Sequence, residues 1–164
     1  MSHWEQSVGA TDQWFTPKYV FDALSCDFDL DVAAPKFGPR YVPVNHWIWE
    51  DSLAKIWQGF IWMNPPFGQR NGLIPWLNKF FNHGNGIALV PDRTSAPWWQ
   101  TAAHRACCIL FVDGKIKFER PDGSLGKQPG NGTCLMASGR LGVQALIRAE
   151  RNGLGVLMVS KTYE

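Results

Sequence analysis

With 164 residues, 45% hydrophobic and 18% charged, the chain has the size of one domain with a real core and a globular composition, which excludes a disordered chain and two ordinary domains. A formal charge of +2 neither demands nor excludes a nucleic-acid partner. No apolar run nears the roughly 20 residues of a membrane span, and the opening MSHWEQSVGATDQW lacks the basic-then-apolar layout of a secretion signal, so a soluble, cytoplasmic, single-domain chain is expected.

Residues 1–12 are polar and read as a loose arm. Thr16-Pro17 offers an N-cap and a first helical position, and the spacing of Tyr19, Val20, Phe21 and Leu24 predicts a helix behind it. Asp27 to Val32 alternates as a short strand does, which puts Asp31 near that strand's carboxyl end. Residues 37–43 are irregular, with a short helix expected at 53–56. Phe60 to Met63 is an apolar run that stops at Asn64-Pro65-Pro66, as a strand buried on both faces would. A helix is expected over 74–81, a strand over 86–90, a helix over 98–105 and a strand over 108–112. Residues 113–132 are glycine-rich and irregular, with one short strand at 116–118. A strand at 133–137, a helix at 140–151 and a strand at 156–159 close the chain. Strands alternating with helices predict an α/β three-layer sheet, in which ligands bind beyond the carboxyl ends of the strands. Asp31 and Asn64 both fall there.

Nine Trp are many for this length, and serve either as core filler or as stacking surface for planar ligands. Cys26, Cys107, Cys108 and Cys134 form no CxxC pair and no cluster with the four His, so buried reduced thiols and no metal are expected.

Asn64-Pro65-Pro66-Phe67 carries the chemistry. Two prolines stiffen the backbone, so the Asn amide and the neighbouring carbonyls hold one direction, with an aromatic plane beside them. An amide oxygen, a fixed carbonyl and a ring suit an exocyclic NH2 on a planar base. Accepting both hydrogens, from Asn64 and the Pro65 carbonyl, gathers electron density on a nitrogen that is otherwise a poor nucleophile. Preorganised acceptors then stabilise the charge that develops as it attacks an electrophilic methyl. Phe67 stacks on the base, and in a duplex the base must first be flipped out. The bland reading of the tetrapeptide is a proline-stiffened turn at a strand end.

Trp14-Phe15-Thr16-Pro17 with Phe21 and Leu24, then Phe28 to Ala34, then Asp51-Ser52-Leu53 ahead of Trp57, then Asn64 to Phe67, resemble in that order the phage-type DNA adenine-N6 methyltransferases, the small Dam-like enzymes of prophages. The similarity continues through Ile87 to Pro91 and Gly114 to Phe118, over roughly residues 13–120. The resemblance implies a compact, Rossmann-like, mostly parallel sheet with helices on both faces. It implies an S-adenosylmethionine-dependent enzyme of phage or prophage origin that flips an adenine from double-stranded DNA and methylates its N6. In this likeness Trp14, Thr16 and Pro17 lie against the cofactor's methionine end. Asp31 and Ala33 hold its ammonium or ribose, Asp51 accepts from its adenine, and Asn64, Pro65, Pro66 and Phe67 form the catalytic loop.

The chain departs from the family pattern in three places. Val32-Ala33-Ala34-Pro35 replaces a glycine-rich loop after Asp31. Only 20 residues separate Asp31 from Asp51, so either Asp51 serves two roles or Asp29, Asn45 or Glu50 substitutes. Phe67 stands where Tyr is more frequent. As plain structure, Asp29 and Asp31 are strand-end charges, Asp51 is a helix N-cap and Thr16 another.

Arg70 and Arg93 follow the catalytic loop and the next strand, so both are expected on the site's rim as DNA contacts. Lys115 and Lys117 are candidates in 113–132, where interleaved acids leave a solvated loop as the alternative to a target-recognition segment. No separate reading head is apparent, so specificity is expected to be short or loose, with help from a homodimer or another protein. Same-fold transfer to RNA adenine, cytosine N4 or protein glutamine remains an alternative, as does a non-catalytic phage nucleic-acid-binding module.

Overall fold

The computed structural model describes residues 14–68, 72–127 and 129–161, so the expected loose arm and Arg70 lie outside the described residues. Six strands form one sheet in the order β1-β2-β3-β5-β4-β6: β1 Leu30–Asp31, β2 Ile61–Met63, β3 Gly86–Pro91, β4 Cys108–Val112, β5 Thr133–Ser138 and β6 Gly155–Val159. Four helices accompany them: α1 Lys18–Leu24, α2 Leu73–His83, α3 Pro97–Arg105 and α4 Arg140–Arg151.

Strand side chains alternate between two cores, because successive Cβ atoms point to opposite faces. Trp62, Ile87, Leu89, Leu110, Leu135 and Ala137 meet α1 and α4 on one face. Ile61, Met63, Ala88, Val90, Ile109 and Met136 meet α2 and α3 on the other. Burial on both faces is what makes these strands read as unbroken apolar runs.

The expectation of a mostly parallel sheet is overturned. β1–β2 and β2–β3 are parallel, whereas β3–β5, β5–β4 and β4–β6 are antiparallel. A continuous apolar run reports burial on both faces, not strand direction, and here β5 returns after a long segment to slot between β3 and β4. No strand forms at 116–118 either: 113–132 makes only isolated bridges, Phe15 with Glu119 and Glu119 with Leu125. At the sheet's edge, the Leu157 N–H donates to Glu150 Oε1 of α4 (2.8 Å), which occupies a donor that another strand could otherwise take.

α1 begins after Pro17, whose φ of −67° and missing N–H suit a helix start, and ends at Ser25 in the left-handed region. Thr16 is not the cap expected of it; Pro17 holds that position and no side chain caps the helix. The Thr16 hydroxyl is engaged elsewhere.

Candidate active site

β1, β2 and β3 end on one edge of the sheet, beside the start of β5, and a cleft of about 1720 Å³ opens over it. That volume exceeds the roughly 300–1,000 Å³ of a pocket for one small molecule.

Asn64 follows β2 directly. Its Nδ2 donates to Thr16 Oγ1 at 3.2 Å, so the hydroxyl expected to cap α1 instead fixes the amide. With the NH2 group committed, Oδ1 is the face left to accept. Pro65 is buried, Pro66 exposed and Phe67 half-buried against the second core, and all three line the cleft.

Asp31 ends β1 and is 3% exposed. Its Oδ1 accepts one hydrogen bond, from the Ala33 N–H at 3.1 Å. Burial pushes the carboxyl up to about 7, against which that single donor weighs little. A buried carboxylate with one donor, at the wall of a large cleft, fits a cationic ligand. Asp29 does not share this setting: its Oδ2 accepts from the Phe60 N–H at 2.7 Å, tying β1 to β2 outside the cleft.

Asp51 reaches the same cleft by an unanticipated route. No helix or strand forms between Asp31 and the 3-10 turn Ser52–Ala54. Instead residues 43–48 run beside β1 through parallel bridges Phe28–Val44 and Asp31–Trp47. Asp31 N–H donates to His46 (3.0 Å), Ile48 N–H to Asp31 (2.8 Å) and Ala34 N–H to Ile48 (3.0 Å). This quasi-strand delivers Trp49, Glu50 and Asp51 to the carboxyl edge. Asp51 holds the N-cap position of that turn, as its plain reading has it, but in the left-handed region (φ 51°): its carbonyl accepts from the Ala54 N–H and its carboxylate makes no capping bond. The turn behind it is held from α2: Lys79 Nζ donates to the carbonyls of Ser52 (3.2 Å), Leu53 (2.9 Å) and Lys55. Trp57 Nε1 donates to Ser52 as well.

The opposite wall takes Phe118, Arg120, Gly126 and Lys127 from 113–132, a stretch whose described residues are mostly exposed, tied down at its base. Phe15 and Glu119 exchange backbone bonds (2.8 and 2.9 Å). Arg40 covers the Phe15 ring at 4.2 Å and donates to Glu119, Arg120 and Pro121. Arg120 lies 5.2 Å from the Trp14 ring.

The cleft thus gathers Trp14, Thr16, Asp31, Ala33, Asp51, the 64–67 loop and Arg93. Pro17 is buried at the start of α1 and does not line it. Lys115 and Lys117 are exposed and lie outside its lining, with Lys115 donating to the Gly130 carbonyl (3.1 Å). Sequence reasoning missed Arg40, Trp49, Trp76 and Thr133. Thr133 carried no motif, and Arg40 sits in a stretch whose only signal is its prolines. Cys108 and Cys134 are buried in the sheet, where burial pushes each thiol up to about 12.

The family model described as DNA N-6-adenine-methyltransferase (Dam) matches residues 2–141. No curated protein and no solved structure gives a significant match.

Proposed function

This chain belongs to the DNA N-6-adenine-methyltransferase family, and from that premise we propose that the cleft holds S-adenosylmethionine on its Asp31 side and a flipped adenine beside Asn64. The enzyme's acceptor is adenine in DNA, not RNA adenine, cytosine N4 or protein glutamine. The observation that carries the reading is the Asn64–Thr16 hydrogen bond at the mouth of β2, one strand away from the buried carboxyl of Asp31.

The parallel β1-β2-β3 half with an antiparallel β5 beside it is read as a shortened Rossmann-like methyltransferase sheet, in which residues 43–48 stand in for an absent strand. Asp31 suits the cofactor's ammonium, because pairing restores a charge that burial alone suppresses. Asp51, at the end of the quasi-strand, accepts from the adenine amino group of the cofactor. S-adenosylmethionine, when bound, supplies the electrophilic methyl. Asn64 Oδ1 and the Pro65 carbonyl accept the two hydrogens of the target N6 and aim its lone pair. Phe67 stacks on the base, worth about 1–3 kcal/mol. A cleft with room for two ligands supports flipping, since a base still in its duplex could not enter it. Arg93 and Lys127 at the rim suit DNA phosphates.

The test combines ligand binding and turnover. Wild type is expected to gain thermal stability with S-adenosylmethionine, Asp31→Ala to lose that gain, and Asn64→Ala to keep it. Methyl transfer to DNA adenine is expected to fall in Asn64→Ala by about 10²–10³, as when one aligned transition-state partner is removed. Full turnover in Asn64→Ala would refute the assignment.

A further inference from the structure

Thr133 begins β5, is 3% exposed and lines the cleft, yet its Oγ1 has no hydrogen-bond partner among the described residues. Only one other buried side-chain polar atom shares that state, Trp99 Nε1, and it faces the Cys134 thiol, a weak acceptor. A buried hydroxyl left unpaired costs stability, so its retention calls for an explanation.

Its place in the fold supplies one. Leu135 and Ala137 point to the core beneath α1 and α4, so Thr133, two residues ahead of Leu135, points to the same face. Trp62 points there too, and Asn64 joins Thr16 on that side. Along the edge, Asp31 lies one strand from Asn64 and Thr133 lies two strands beyond it in the other direction. Two strand spacings and the two residues by which Thr133, opposite Pro91, stands beyond the level of Asn64 separate them by about 12 Å. A purine ring with a hydrogen bond at either side fills about that distance. Asn64 therefore stands between a donor end at Asp31 and an acceptor end at Thr133. The wall there is built closely, because a side chain at Gly132 would meet Asp92 Oδ2 at 2.5 Å.

We infer that Thr133 is a substrate-specifying residue whose hydroxyl donates to a ring nitrogen of the flipped adenine. Asn64 and Pro65 read the amino group, and Thr133 reads an acceptor on the ring, so a base must present both to be held. The inference rests on the assignment of this cleft to donor and target base.

Thr133→Val keeps the shape and removes the hydroxyl; Thr133→Ser keeps the hydroxyl. Thr133→Val is expected to hold or raise Tm, because an unpaired buried hydroxyl is replaced by an apolar group. It should retain the S-adenosylmethionine thermal shift and lose about tenfold in kcat/KM on DNA, with Thr133→Ser near wild type. Oligonucleotides carrying 1-deaza-, 3-deaza- or 7-deazaadenine at the target position identify the nitrogen. Wild type should be slowed by one of them, and Thr133→Val should be slowed no further by that same analogue. The inference is overturned by wild-type kcat/KM in Thr133→Val. It is equally overturned by a lowered Tm with the same loss on every analogue, which marks a packing role. If Asp31→Ala keeps the cofactor shift, the cleft assignment itself fails. If that shift is lost and Thr133→Val behaves as wild type, only the role of Thr133 fails.

Discussion

Asn64 and Thr16, 48 positions apart in sequence, meet at 3.2 Å, with the amide nitrogen donating to the hydroxyl. Two elements share this contact: Thr16 sits ahead of α1 and Asn64 directly follows β2, so the helix start sets which end of the amide faces the cleft. Thr16→Val frees the amide to rotate. We expect kcat to fall about tenfold with the KM for DNA nearly unchanged, and Thr16→Ser to restore it. Steady-state kinetics on a methylatable oligonucleotide separates the two parameters.

Asp31 makes the free enzyme sensitive to pH. Its carboxyl is pushed from 3.8 to about 7 by burial, so between those values the folded state holds a proton that the unfolded state has released. The stability this gives is complete below 3.8 and lost as pH rises through about 7. Asp31→Asn should therefore be more thermostable than wild type at pH 8 while failing to bind the cofactor. Binding of an ammonium needs the carboxylate, so wild-type affinity should strengthen from pH 6 to 7, below the pH of about 7.7–8.0 at which an α-amino group loses its charge, and calorimetry at pH 6 should register proton release. A Kd flat across that range would contradict the assignment.

Phe67 is half-buried, packed against the second core and lining the cleft. Phe67→Ala should raise the KM for DNA about tenfold or more, from the loss of a stack worth about 1–3 kcal/mol. Phe67→Tyr should be tolerated. Fluorescence of 2-aminopurine at the target position reports the flipped state directly and should decline in the alanine variant.

Lys79 bonds to three carbonyls of the turn behind Asp51. Lys79→Met keeps an unbranched apolar side chain and removes both the donors and the charge that lies 4.8 Å over the Trp57 ring. The Kd for S-adenosylmethionine is expected to rise about five- to tenfold with kcat little changed, measured by titration and by turnover at saturating cofactor.

Much of this was legible in the chain. The helices at α1 to α4 and the strands β2 to β6 stand where apolar spacing and short apolar runs put them, whereas the alternation over 27–32 yields only the two-residue β1. The tetrapeptide at 64–67 pointed to the edge over which the cleft opens, because proline limits the backbone wherever it occurs. Strand direction was not legible, since Leu135 buried in an antiparallel strand looks no different from Leu89, which has one neighbour of each kind. The quasi-strand was hidden for a different reason. Residues 43–48 hold their place through backbone bonds to β1, and such bonds leave no mark on side-chain periodicity. Thr16 was read as a cap because the local sequence allows it; only the fold brings Asn64 to it. Thr133 and Arg40 come to line the cleft through surroundings assembled from distant segments, beyond the reach of any local pattern.

The thin tether between residues 43–48 and β1 has a bearing on kinetics. Single bridges open at far lower free energy than the paired centre of a sheet, so this border can peel away while β3 and β5 stay closed. Amide exchange at Ile48 and Ala34 should then run ahead of that at Leu89. Loading of the methyl donor, if it is held at Asp31 and Asp51 on both sides of the seam as proposed, would slow the first two and leave the third alone. In this enzyme the grip on its small ligand and the fastening of that outer seam would be one event.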